Sequence, residues 1–155
     1  MFNPYRAVLL RWATHKSYIP FVTFLGMPMD KLTRHTGHPF SSVGTGLPTV
    51  HLTTTGRNTG QQRTVPVFGL DIGSGVALIN SNFGKDAPPG WYFNLVADPR
   101  CRLQRGRELS ECEARAATAE ERAEIWRKAV AVYPPWETYR CRTEREFDIF
   151  VLESR

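Results

Sequence analysis

The chain has 155 residues, 41% apolar and 23% charged, with 20 Lys and Arg against 15 Asp and Glu. That length and mixture, free of low-complexity segments, predict one globular domain with one core and exclude a disordered or fibrous chain. The net charge of +5 admits an acidic partner, but the basic residues are scattered, and no helix-turn-helix turn, zinc spacing or RNP-like strand is present, which argues against nucleic acid.

From Phe2 to about Lys16, the apolar residues Phe2, Tyr5, Val8, Leu9 and Trp12 recur at helical spacing opposite Arg6, Arg11 and Lys16, predicting an amphipathic helix. No secretory signal is apparent, and the apolar run from Ile19 to Met29, interrupted by Pro20, Gly26 and Pro28, is too short to span a bilayer. Residues 1–29 thus read as an N-terminal amphipathic and apolar helical extension of a single domain covering 1–155. Packing on its own domain is the favoured role; lying in a membrane interface or closing over an apolar pocket stays open. A short helix is expected from Met29 to His35, then a long loop marked by Gly37, Pro39, Gly44, Gly46 and Pro48. His35 and His38 lack the further ligands of a metal shell and read as loop histidines, so no metal is expected.

Strands are predicted at Thr49 to Thr54, Thr64 to Leu70 and Val76 to Asn80, as an antiparallel meander with a turn at Gly73-Ser74-Gly75. Pro66 inside the second strand predicts an edge position or a bulge, where a missing N–H is tolerated and a ligand can approach. A short helix from Trp91 to Ala97 follows Pro88-Pro89-Gly90 and stops at Asp98-Pro99. Two more strands, Arg100 to Arg105 and Glu108 to Ala117, put Cys101 on the core face rather than in a nucleophile's place. The other cysteines, Cys112 and Cys141, leave the count odd and without C-x-x-C spacing, which fits a reducing cytoplasm. Thr118-Ala119-Glu120-Glu121 is a capping box opening a helix to about Val132. Tyr133-Pro134-Pro135 breaks it, a turn carries Trp136 and Tyr139, and Phe147 to Leu152 is the closing strand. About six strands and four or five helical pieces describe a mainly β, α+β domain: a small barrel with peripheral helices.

Catalytic patterns such as G-x-S-x-G, H-E-x-x-H and the Walker lysine are missing, so difficult chemistry would belong to a bound organic cofactor. The segment Thr53 to Pro66 is the strongest pointer to one. Its Gly56 and Gly60 allow close backbone approach, and Arg57 and Arg63 provide forked, charge-assisted hydrogen bonds suited to phosphate or a polyanionic tail.

Read with Gly90-Trp91-Tyr92-Phe93-Asn94-Leu95-Val96-Ala97-Asp98-Pro99 and Tyr133-Pro134-Pro135-Trp136, that turn resembles the deazaflavin-dependent nitroreductase family. Its members carry T-T-x-G-R-K-S/T-G-x-x-R-x-x-P-L, then an S-K/N-G-G-like segment, then P-x-W-Y-x-N-L-x-A-N-P, in this order. The match runs from roughly Pro48 to the C-terminus. The resemblance implies a split β-barrel of the FMN-binding type and coenzyme F-420, an 8-hydroxy-5-deazaflavin with an anionic polyglutamate tail.

The resemblance further implies site residues. Arg57, Asn58, Gly60, Arg63, Val65 and Pro66 would border the coenzyme, with the two arginines on its tail and phosphate. Ser81, Asn82, Trp91 and Asn94 would meet the headgroup. Tyr133, Trp136 and Tyr139 match an aromatic trio on the substrate side, commonly three tyrosines, and with Ser81 they are the candidate catalytic residues. An indole N–H at Trp136 donates a hydrogen bond but does not readily supply a proton. Asn58 and Asn82 stand where lysines occur in the family, so positive charge is reduced.

The expected function is hydride transfer from the reduced deazaflavin to a lipophilic quinone, enone or similar activated acceptor, with nitro-compound reduction as an adventitious activity. A lipid, fatty-acid or cofactor carrier on the same barrel, and an FMN-dependent oxidoreductase, are the alternatives. The expected location is the cytoplasm, with the inner face of the plasma membrane open through residues 1–29. The sequence does not specify an oligomeric state.

Overall fold

A computed structural model describes residues 4–33 and 47–155. Seven strands form one sheet: β1 (Thr49–Thr55), β2 (Gln62–Phe68), β3 (Leu70–Asp71), β4 (Val76–Ile79), β5 (Arg100–Arg105), β6 (Glu108–Ala116) and β7 (Ile149–Ser154). All pairs are antiparallel, in the order β2-β1-β5-β6-β7-β4-β3.

The connection from β2 to β3 explains the shape. These strands occupy opposite edges of the sheet, yet only Gly69 separates them. Consecutive Cα atoms are about 3.8 Å apart, so the edges can be joined this way only if the sheet curls until they approach. Gly69 is pressed between the walls, since a Cβ there would lie 2.7 Å from Val50 Cγ2 and 2.9 Å from Val76 Cγ1. The result is the curled half-barrel with peripheral helices expected for a split barrel.

Strand alternation gives the sheet two apolar faces. Val76, Leu78 and Leu152 join Val50, Leu52, Leu95 and Leu103 on one face. Ala77, Ile79, Ile149 and Val151 join Ile125, Ala129, Tyr133, Trp136 and Tyr139 on the other. The helices supplying these partners are α4 (Gly90–Ala97), α5 (Ala119–Val132) and α6 (Pro135–Arg140). Each fully buried Leu or Val contributes about 1.5–3 kcal/mol, so the sheet is anchored from both sides.

Several expectations hold closely. Pro66 lies on edge strand β2 opposite His51, where its missing N–H breaks no ladder on the outer side. Thr118 and Glu121 form the capping box of α5, and Cys101 is buried, its thiol pushed up to about 12 first by desolvation.

Others are corrected. The sheet is not a simple meander, because β1 has β5 as its second neighbour and β7 enters between β6 and β4. The predicted strand to Leu70 divides at Gly69, and the closing strand starts at Ile149, so seven strands replace six. The aromatic turn after Pro134 is helix α6, with Pro135 in its first turn where no N–H is needed.

The N-terminal part differs most. Helix α1 covers Pro4–Ala13, with Tyr5 and Val8 exposed, while Arg6 donates to the Val132 carbonyl at the end of α5 at 2.7 Å. A helical stretch then runs through α2 (Tyr18–Phe21), a π-turn (Val22–Gly26) and α3 (Met27–Thr33). Pro20 falls in the first turn, and the π-turn, where Met27 N–H reaches the Val22 carbonyl, already interrupts the regular ladder before Pro28. The predicted helix end at His35, the His35/His38 pair and the glycine-rich loop lie outside the described residues.

Candidate coenzyme and acceptor site

A cavity of about 390 Å3 opens where β2, α6, the N-terminal helices and the entry to α4 converge. Its volume falls in the usual range for small-ligand sites, about 300–1,000 Å3. Val65, Pro66, Ser81, Asn82, Trp91, Tyr133, Trp136 and Tyr139 all line it. A larger open depression beside Asp86 and Arg140 is lined by charged and polar residues without aromatic walls.

The arginine turn stands beside this cavity. Gly56 N–H bonds to the Gln61 carbonyl at 2.8 Å and Gly60 N–H to the Gly56 carbonyl at 2.7 Å, with Gly60 at φ 67°. A Cβ on Gly56 would lie 2.9 Å from Thr59 Oγ1 and 3.1 Å from Arg63 Nε, so the glycine lets Arg63 fold over the turn. The Arg57 guanidinium lies 4.4 Å from the Phe93 ring centroid, and its backbone N–H donates to Asn94 Oδ1 at 3.1 Å. Arg57, Asn58, Gly60 and Arg63 are exposed, and among the described residues neither guanidinium forms an ion pair. Their charge remains free for an anionic ligand.

Trp91 and Asn94 occupy different places on α4. Trp91 lines the cavity, whereas Asn94 is buried behind it and donates to Thr54 Oγ1 at 3.0 Å. Asn94 therefore ties the arginine turn and β1 to the tryptophan helix instead of facing the cavity. The three residues from Trp91 to Asn94 span about 4.5 Å along a helix, so the turn lies roughly one helical turn from the cavity wall.

Ser81 is buried at the end of β4, and Asn82 Nδ2 donates to the Ala87 carbonyl at 2.8 Å, closing its own loop. Asn82 and Phe83 have φ of 46° and 59°, a left-handed pair uncommon for non-glycine residues. Phe83 stands where the S-K/N-G-G pattern has its first glycine.

On the opposite wall, Tyr133 and Tyr139 hydroxyls are 2.9 Å apart, and Tyr139 donates onward to the Ala13 carbonyl at 3.2 Å. Burial pushes Tyr139 up to about 12 and also raises Tyr133 and Tyr18, whose hydroxyls interact. All three are neutral hydrogen-bonding groups at physiological pH. Trp136 is 4% exposed, and its Nε1 has no partner among the described residues. An orphaned buried donor costs about 1–3 kcal/mol, and this one is shielded from the cavity, so it is the ring that Trp136 presents there.

Sequence reasoning missed the wall formed by Tyr18, Val22, Met27 and Asp30. The run was read as part of a helical extension, but no motif singled out which of its residues face the cavity. It also missed Phe68 and Phe83, which carry no motif.

The family model for F420H(2)-dependent quinone reductase matches residues 29–154. The chain belongs to that family. It is 28% identical over 109 residues to Rv3178 of Mycobacterium tuberculosis (strain ATCC 25618 / H37Rv), described as an F420H(2)-dependent quinone reductase, covering 70% of this chain and 92% of that protein. A solved F420-H2 dependent reductase, FDR-A, is 36% identical with a TM-score of 0.63, covering 68% of this chain and 94% of the other. A solved domain-swapped dimer is also 36% identical, with a TM-score of 0.64 and coverage of 68% and 80%.

The protein is thus an oxidoreductase of the deazaflavin-dependent quinone-reducing type, and FMN becomes the secondary cofactor reading. The residues present fit a deazaflavin. They combine a cavity with aromatic walls and two exposed guanidiniums that form no ion pair among the described residues.

Proposed function

We propose that the cavity brings a lipophilic quinone against the deazaflavin headgroup, with Arg57 and Arg63 holding the coenzyme's anionic tail. The observation that carries this reading is the convergence of Val65, Pro66, Ser81, Trp91 and the aromatic trio Tyr133, Trp136 and Tyr139 on one cavity. When bound, the reduced deazaflavin supplies a hydride from ring carbon C5.

The chain's own residues bind, orient and polarise. Trp91, Val65 and Pro66 offer apolar surface to a ring system, and Ser81 offers a hydroxyl to a polar ring atom. Gly60 and the arginines suit a tail threaded over the exposed turn, and Asn58 adds a neutral contact there. Asn82 and Asn94 hold the loop and the helix that carry these groups. The Trp136 ring, packed against Phe68 and Tyr133, shapes the acceptor side of the cavity. Tyr133 and Tyr139 are phenols held above their ordinary range, so they stabilise charge by hydrogen bonding and are weak proton donors. The proton completing the hydroquinone comes from water at the cavity mouth.

The N-terminal helices support the lipophilic choice. Their inner side lines the cavity, while Phe24 and Leu32 are 82% and 75% exposed, and Phe21 and Leu25, three residues before and one after Phe24, are exposed as well. No helix of the described residues is long and apolar enough to cross a membrane. This outer face fits shallow contact with a lipid surface at the cytoplasmic side, from which a quinone could enter.

Steady-state turnover with a prenyl-chain quinone and its short-chain analogue, with and without anionic vesicles, tests the reading. Higher kcat/KM for the prenyl form is expected, and Phe24→Ser should abolish vesicle cosedimentation. Turnover of neither quinone would overturn the acceptor assignment.

A further inference from the structure

Asn82, Phe83 and Gly84 are three consecutive residues in the left-handed region, at φ 46°, 59° and 78°. Two of them are not glycine, and such backbone persists only where its surroundings hold it. Arg145 holds it from one side, donating to the carbonyls of Asn80 at 3.0 Å, Ser81 at 3.1 Å and Lys85 at 3.3 Å.

Arg142 holds it from the other and does something further. Its Nη1 donates to the Phe83 carbonyl at 3.2 Å, and its Nη2 donates to the Thr14 carbonyl just beyond α1. The same guanidinium lies 5.3 Å from the centroid of the Tyr139 ring, whose hydroxyl donates to the Ala13 carbonyl at 3.2 Å. The carbonyls of Ala13, which ends α1, and of Thr14, just past it, are thus taken up by Tyr139 and Arg142. A Cβ on Gly84 would lie 2.5 Å from the Tyr139 carbonyl oxygen and 2.9 Å from Arg142 Cβ, so loop, α6 and arginine are in direct contact.

We propose that Arg142 is a positioning residue that clasps the N-terminal helices to the loop bearing Ser81, Asn82 and Phe83, so that the two walls of the cavity hold one another in place. Arg142 does not line the cavity. It acts through Phe83 on one wall and through the end of α1 on the other, which leads into the helices carrying Tyr18, Val22 and Asp30. Only a planar fork satisfies two carbonyls in different segments while covering an aromatic ring; an ammonium is a point donor. Coenzyme seated against the loop then orders the acceptor-side wall, and by reciprocity an ordered N-terminal segment tightens coenzyme binding. That last consequence rests on the proposed reading of the cavity.

Hydrogen–deuterium exchange on the full chain tests it, first without ligand. Arg142→Met should speed exchange roughly tenfold in both 4–33 and 80–87, because each segment loses a charge-assisted bond; acceleration confined to one would overturn the clasp. With saturating coenzyme, the wild type should slow exchange in both segments, whereas Arg142→Lys, which keeps the charge, should slow it only in 80–87. Protection of 4–33 in Arg142→Lys equal to the wild type would overturn the proposal. In turnover, Arg142→Lys should raise the quinone KM several-fold with kcat retained, and a fall in kcat alone would contradict a positioning role. A wild type that binds no coenzyme would defeat the reading of the cavity, while the ligand-free comparison would still decide the clasp.

Discussion

Asn94 Oδ1 accepts the backbone N–H of Arg57 at 3.1 Å, while Asn94 Nδ2 donates to Thr54 Oγ1 at 3.0 Å. One buried amide thereby fixes the arginine turn, strand β1 and helix α4 relative to one another. Asn94→Ala should cost about 1–3 kcal/mol of stability, because it leaves buried partners unsatisfied. It should also weaken coenzyme binding without altering any group that touches the headgroup. Chemical denaturation and coenzyme titration check both, and unchanged stability would show that the turn is held by Phe93 and its own hydrogen bonds instead.

Arg63 folds over Gly56 and forms no ion pair with the described residues. Losing one partly exposed charge contact costs about 1 kcal/mol, a several-fold affinity change. Arg63→Ala should therefore weaken binding of long-tailed coenzyme several-fold, less at high salt, and barely affect a tailless deazaflavin. An equal loss for both forms would move Arg63 from the tail to the headgroup.

Trp136→Phe removes the orphaned donor while keeping an aromatic ring against Phe68 and Tyr133. Because the smaller ring reshapes the acceptor wall, kcat/KM for the quinone should fall about tenfold, corresponding to about 1.4 kcal/mol in the transition state. Coenzyme affinity should change little. A variant with normal quinone turnover and weakened coenzyme binding would place Trp136 on the coenzyme side.

Acid stability should depend on Glu121. Its carboxylate pairs with both terminal nitrogens of Arg115 at 2.7 Å and accepts the Thr118 N–H at 2.8 Å. The Arg115 bonds, with help from Thr118, lower its pKa from 4.5 to about 2. Because the folded pKa is depressed, this stabilisation is present above about 4.5 and is lost as pH falls towards 2. Glu121→Gln should lower Tm at neutral pH, with the gap from wild type closing across that window in a pH series of thermal melts. A gap constant with pH would contradict the ionic account.

Much of this site was legible because its chemistry lies in local patterns. Gly56, Gly60 and the two arginines mark a turn, Pro66 marks an edge, and the Thr118–Glu121 capping box marks a helix start at the observed residue. Ser81, Trp91 and the aromatic trio, which the resemblance had singled out, all line one cavity. Long-range and non-repetitive features were hidden. Nothing local predicts that β7 enters between β6 and β4, or that Gly69 alone joins the two sheet edges. The helical character of the N-terminal extension was legible, but the π-turn at Val22–Gly26 has no sequence mark of its own. No local pattern marks Arg142 and Arg145, because the carbonyls they hold lie far away in sequence.

The central claim is that this chain binds a deazaflavin at the cavity and its tail at the arginine turn. Titration of the purified protein with coenzyme F-420, and separately with FMN, followed by intrinsic coenzyme fluorescence, tests it most directly. Saturable binding of the deazaflavin with much weaker FMN binding is the predicted result. No saturable deazaflavin signal, or tighter binding of FMN, would contradict it.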